Sequence, residues 1–249
     1  MSWIITGSQK IDPDAAVYLS RVEDADGQAL EAGVRTAVDQ FVLGCKADGI
    51  WPAIKASCIL AGARTRLGAL TPLVGTAPTS FNFVDANYNR KTGLVGGSTK
   101  YLDSNRNNNA DPQNSKHVSV YINTVGSLGF IGSGAGGAAG ITQLYGNPSL
   151  ARNNQTSLAN SIGAAATGLF GTSRNSGTSY AARLGGVQTT VNVISDTPNN
   201  ANFFVFNLPT LTYFTTARLA FYSIGESLDL ALLDARVTDL INAFAVTIP

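Results

Sequence analysis

The sequence predicts a mainly β protein, an antiparallel β-sandwich preceded by a small helical region and closed by a C-terminal helix. Three observations carry this. Charged residues make up 13% of the 249 positions, roughly half the ordinary share, while Gly alone supplies 26 and Asn, Ser and Thr are abundant. A surface of that kind is built from turn and loop residues rather than from long exposed helices. Beyond Gly75, short segments of alternating apolar and polar residues recur between turn residues, the pattern of a sandwich or barrel. Ahead of that point, apolar residues fall instead at a helical period. The length suits one large sandwich, or a sandwich with a smaller appendage.

Residues 1–11 read as an extended arm in which Trp3, Ile4 and Ile5 need a partner surface. Residues 12–72 read as a helical attachment region. Asp12-Pro13 starts a helix, because Asp accepts free amide hydrogens while Pro fits the first turn. Ala15, Tyr18, Leu19 and Val22 then share a face and Gly27 ends the run. A second helix carries Leu30, Val34, Ala37, Val38, Phe41, Val42 and Cys45 and stops at Asp48-Gly49. A third is expected from Pro52 to about Ala61, presenting Ile54, Cys58 and Ile59.

Residues 73–249 read as the sandwich. Val118, Val120 and Ile122 lie on one strand face, with Ser119, Tyr121 and Asn123 on the other. Val187, Thr189, Val191 and Val193 repeat the arrangement, Phe203 to Phe206 reads as a strand buried on both sides, and Leu219 to Ile224 is the last strand. The closing helix, over about 227–246, carries Leu230, Leu233, Val237, Leu240 and Phe244. Its stripe is read as packing on the sandwich in preference to an oligomer seam, since two heptads fall short of a coiled coil. Ser223 and Glu226 have capping-box spacing, with Ser227 as the other candidate cap.

Several function classes lack their parts. A net charge of +1, with 17 scattered Lys and Arg, gives no field to gather phosphates, so nucleic acid is not an expected partner. Cys45 and Cys58 read as buried thiols. The N-terminus lacks the basic and long apolar stretches of a secretory signal, and no apolar run suits membrane insertion; the expectation is a soluble product made in the cytoplasm. His117 is the only histidine and reads as a satisfied surface residue, without metal or triad partners. The three glutamates, Glu23, Glu31 and Glu226, form no strand-borne pair, and Asp85, Asp103, Asp111 and Asp196 sit in turn-like settings. A glycosidase needs two carboxylates across the sugar bond. No catalytic, cofactor or metal residue is therefore assigned, and ligand-binding residues stay unassigned. The stretch Gly132 to Gly140 lacks a phosphate-loop ending and reads as a flexible hairpin or a close backbone contact. Ser104 to Asn114 reads as a long polar loop whose amides suit sugar hydroxyls.

The segment Val42 to Arg64, VLGCKADGIWPAIKASCILAGAR, resembles one common in phage structural proteins, including tail-fibre and virion-surface proteins. Phe81-Asn-Phe83, Asp85, Tyr88 to Leu94 and Gly97 to Leu102 resemble the entry to the concanavalin A-like lectin/glucanase jelly roll of such proteins. Phe170 to Tyr180 and Arg218 to Leu228 resemble its later strands and closing helix. The resemblance implies a concanavalin-like jelly roll, a place in a virion and, for fibre members, trimerisation and contact with host surface polysaccharide. It supplies no binding residue. The leading expectation is thus a non-enzymatic tail-fibre or baseplate-associated protein, joined to other virion proteins through its N-terminal arm and helices. A capsid decoration or cement protein without ligand is the alternative, and a polysaccharide-degrading enzyme the remote one.

Overall fold

The computed structural model describes residues 10–135 and 138–249. The expected arm falls mostly on residues 1–9 and lies outside them. Two helices come first, α1 (Pro13–Asp26) and α2 (Ala32–Ala47), followed by β1 (Ile54–Ile59), a one-turn α3 (Arg66–Ala69), β2 (Pro72–Val74), β3 (Thr79–Phe81), β4 (Tyr88–Asn89), β5 (Gly93–Val95) and β6 (Tyr101–Asn107). The chain continues through β7 (Lys116–Thr124), β8 (Gly129–Ser133), β9 (Ile141–Tyr145), β10 (Ser149–Gln155), β11 (Asn160–Gly163) and β12 (Gly168–Arg174). Last come β13 (Ser179–Leu184), β14 (Val187–Asn192), β15 (Asn202–Val205), β16 (Arg218–Gly225) and α4 (Leu230–Thr247).

The strands form two antiparallel sheets. A nine-stranded sheet runs β14-β13-β12-β7-β16-β1-β2, with β5 on β16 and β4 on β5; a seven-stranded sheet runs β11-β10-β9-β8-β15-β6-β3. Val118, Val120, Ile122, Phe170 and Leu219 of the first meet Leu102, Phe130, Leu144, Phe203 and Val205 of the second in a core between the sheets. Tyr121, Leu169, Ala220 and Phe221 leave the opposite face of the nine-stranded sheet and pack with α1, α2 and α4. The centre of that sheet is covered on both faces, so β7 and β16 are buried along most of their length, while among the described residues no helix covers the outer face of the seven-stranded sheet. The sandwich, the N-terminal helices and the C-terminal helix follow the sequence expectation.

The helices form where the residues direct. The Asp12 side chain accepts from the Asp14 amide, and Gly27 closes α1 in the left-handed region at φ 67°. On α4 the cap is neither Ser223 nor Ser227 but Asp229, which accepts from the amides of Ala231 and Leu232 at 2.7 and 3.4 Å. Ser223 lies inside β16, and Glu226 pairs with Lys55 at 2.9 Å, so neither is free to cap. Leu230, Leu233, Val237, Leu240 and Phe244 are buried within the chain itself. Bidentate pairs fix the helical layer: Arg90 to Glu31 at 3.0 and 2.7 Å, and Arg236 to Asp48 at 2.7 and 2.9 Å.

Two expectations are corrected. The third helix over 52–61 is a single 3-10 turn, Trp51–Ala53, followed by β1, which runs between β16 and β2. Ala56 and Cys58 face the sandwich core while Ile54 and Ile59 face the helices; a short run apolar on both sides has no period that separates helix from strand. The nine-stranded sheet therefore begins inside the span read as the attachment region. Phe203 to Phe206 is not buried on both sides: Phe203 and Val205 face the core and Phe204 the outer face.

Candidate functional site

Three of the sequence-selected features turn out to hold the fold. His117 is fully buried rather than at the surface. Its Nδ1 donates to the Glu226 carbonyl at 2.6 Å, so Nε2 accepts from the Ser223 hydroxyl at 2.7 Å. Burial pushes its pKa down to about 4. The polar stretch 104–114 is not a free loop. It enters β6, turns at Asn108 to Ala110, and spends its amides on the protein: Asn105 donates to the Ala77 carbonyl, Asn108 to the Gly140 carbonyl and Gln113 to Ser195. Asp111 is buried between Arg106 and Lys116, and desolvation lowers the Lys116 pKa to about 8 against the pull of that carboxylate. The glycine stretch does make the close approach: a Cβ on Gly140, at φ 59°, would stand 1.7 Å from the Thr197 carbonyl oxygen. Cys45 and Cys58 are buried free thiols.

The surface that offers chemistry is the outer face of the seven-stranded sheet. Register brings residues distant in sequence into one row across it. Asp103 pairs with Phe204, Phe204 with Gly132, Gly132 with Gln143 and Gln143 with Arg152, while the Phe81–Tyr101 pair lies two residues along β6 and reaches this row diagonally. Alternation sends their neighbours Leu102, Leu144 and Ala151 into the core, so all of these point outward. On one half the aromatic rings stack, Phe81 on Tyr101 at 4.3 Å and Tyr101 on Phe204 at 4.9 Å.

On the other half a groove of about 310 Å³ opens, lined by Gln143, Tyr145, Arg152, Leu208, Thr210 and Tyr213 together with Ala135. The strand register supplies its floor. Its wall comes from the chain after β15, which folds back over the sheet and is held there by Phe206 N to Phe130 O at 2.8 Å, Gly129 N to Tyr213 O at 2.8 Å and Tyr213 N to Asn207 Oδ1 at 3.1 Å. Gly132 keeps the floor open, since a Cβ there would lie 2.7 Å from Leu208 Cδ2 and 2.8 Å from Gln143 Cγ. Tyr145 and Tyr213 meet edge to face with centroids 6.5 Å apart, and Tyr213 is 42% exposed. Gln143 is anchored by donating to the Gly134 carbonyl at 2.9 Å. No carboxylate lines the groove among the described residues.

A larger groove, of about 480 Å³, lies between α2 and α4. Its charged groups are Arg236 and Asp239, and Arg236 is already committed to Asp48, which leaves it poor in recognition chemistry. The outer-face groove was not legible in the sequence. Gln143 and Tyr145 share the alternation that marks a strand face, yet which strands would flank them depends on a register no short-range pattern carries.

No protein-family model matches the chain, and neither does any curated protein. Among solved structures it is similar to domain 4 of a GH43 extracellular arabinanase from Geobacillus stearothermophilus, at 16% identity and a TM-score of 0.39, covering 68% of this chain and 82% of that one. It is also similar to a botulinum neurotoxin type C structure, at 10% identity and a TM-score of 0.44, covering 78% of this chain and 51% of that one. A Trypanosoma rangeli sialidase mutant gives 10% and 0.42, covering 83% and 39%. The chain thus spans about half or less of the latter two. These are likenesses of sheet architecture, without bearing on ligand.

Proposed function

We propose that this protein is a non-enzymatic recognition component of a phage particle, tail-fibre or baseplate-associated, whose outer β face contacts a host surface polysaccharide while its helical layer joins it to neighbouring virion proteins. The observation that carries the glycan half is the row on the outer face, stacked aromatics on one side and an amide-, hydroxyl- and tyrosine-lined groove on the other. Sugars present apolar C–H faces and hydroxyl rims, which these two halves match. Binding without cleavage is supported by the groove's lining, which among the described residues has no carboxylate to serve as acid or nucleophile. The virion half rests on the resemblance of Val42 to Arg64 and of the strands beyond it to phage structural proteins.

A glycan array probed with the whole chain tests the recognition half, and Tyr213→Ala locates it. Because Tyr213 is 42% exposed, its loss leaves the unfolding midpoint in place while affinity falls about tenfold, the effect of roughly 1–2 kcal/mol of ring contact. Unchanged affinity would move the contact elsewhere. Labelled antibody on intact particles tests the rest: label on the tail fits this reading, and label on the head lattice replaces it with a decoration or cement role.

A further inference from the structure

Among the described residues, the buried Lys116 and Arg174 and the part-buried Arg183 each donate to acceptors of the protein, although Arg174 Nη2 is enclosed without one, whereas Arg152 has none. Lys116 meets Asp111 and the Asn108 carbonyl, Arg183 meets Asp234 at 2.7 Å, and Arg174 donates to the carbonyls of Asn153, Ser176, Ser179 and Val193. Arg152, on the groove floor, is only 8% exposed and among the described residues makes no ion pair or hydrogen bond; its Nε is fully enclosed without a partner. An enclosed guanidinium N–H without an acceptor is costly, and the position of Arg152 on the groove floor lets the rest of its guanidinium meet an acceptor brought from outside.

We infer that Arg152 is the anchor for the carboxylate of an acidic sugar, which makes the polysaccharide a uronic- or sialic-type acidic glycan rather than a neutral one. The inference rests on the glycan reading above and narrows it. The planar guanidinium fork matches a carboxylate through two parallel hydrogen bonds, and a groove without acidic lining leaves that charge unopposed. Gln143, beside Arg152 in the register, and Thr210 and Tyr213 on the wall then stand around the sugar ring to meet its hydroxyls.

The test uses the whole chain on an array printed with acidic glycans and their neutral counterparts, carboxyl-reduced for the uronic acids and desialylated for the sialosides. Wild type binds acidic members at least tenfold more tightly than their neutral partners. Arg152→Met abolishes that preference while the residual binding to neutral members persists, and Arg152→Lys restores it only in part. Thermal unfolding without ligand supplies the second readout. Removing an unmatched buried cation leaves the midpoint unchanged or raises it, whereas a structural Arg152 would make Arg152→Met melt lower. Equal binding of acidic and neutral members, or a lowered midpoint, overturns the inference and leaves the glycan reading standing; no binding to any glycan overturns both.

Discussion

His117 shows how a single buried side chain sets a pH dependence. Its folded pKa lies near 4 because burial penalises the imidazolium, against 6.5 for the free side chain. Below pH 6.5 the unfolded chain takes up a proton that the folded chain refuses, so stability is full above 6.5 and is lost as the pH falls toward 4. Asp12, Glu23 and Glu31 are also held below their usual pKa values, Asp12 and Glu31 chiefly by hydrogen bonds from Lys46 and Arg90, while at Glu23 desolvation opposes the bond from Arg35 and does not outweigh the combined pull of its partners. Those three act below about 4.5, the ordinary glutamate value. The window from 4.5 to 6.5 therefore belongs to the chain's one histidine. Urea unfolding across it should lose on the order of 2–3 kcal/mol, and His117→Asn should flatten that slope; a slope that survives the substitution would assign it to other groups. The Nδ1–H tautomer, fixed by the Glu226 carbonyl, is directly readable by NMR.

At the scale of elements, α4 is the test of what holds the helical layer to the sheet. Phe244 is fully enclosed, and Gly62, at φ 88°, leaves no room for a side chain beneath its ring, a Cβ there standing 2.7 Å from the ring carbons. Phe244→Ala should cost about 3–5 kcal/mol, since a site this closely walled cannot collapse on the cavity. Asp229→Ala, which removes only the cap, should cost ~1 kcal/mol. Chemical denaturation separates the two, and comparable losses would mean that Phe244 packs less tightly than its surroundings indicate. The same elements show what sequence can carry. α1, α2 and α4 were legible because caps and a 3.6-residue period are local signals, and β7 because Val118, Val120 and Ile122 alternate with polar positions. β1 was not, because Ile54, Ala56, Cys58 and Ile59 are buried on both faces and carry no period. The groove was hidden for another reason: Arg152, Gln143, Gly132 and Phe204 become neighbours only through strand register.

For the whole molecule the decisive feature is that β1, near the start of the chain, pairs with β16, near its end, along Ala56↔Ile224 to Ile59↔Phe221. The helical layer and the sandwich share the nine-stranded sheet between them, so neither has a complete core alone. A fragment of residues 73–249, cut where the sequence alone places the start of the sandwich, loses β1 from the sheet along with α1 and α2. It exposes the edge of β16 and leaves α4 alone to cover the face of Tyr121, Leu169, Ala220 and Phe221, which loses its contacts with α1 and α2. An unpaired strand edge beside a partly bared apolar face is a template for aggregation. The fragment should be insoluble, or lack a cooperative transition, while the full chain melts in a single step seen alike by far-ultraviolet dichroism for helix and by near-ultraviolet dichroism, to which Tyr180 and Tyr222 of the core between the sheets contribute. A soluble, cooperatively folded fragment, or a helical transition preceding loss of the sheet, would make the helical layer a separate attachment module. The outer face of the seven-stranded sheet would then be independent of it, whereas in a shared sheet the same loss of order that frees the helices also dissolves the outer face from Phe81 to Arg152.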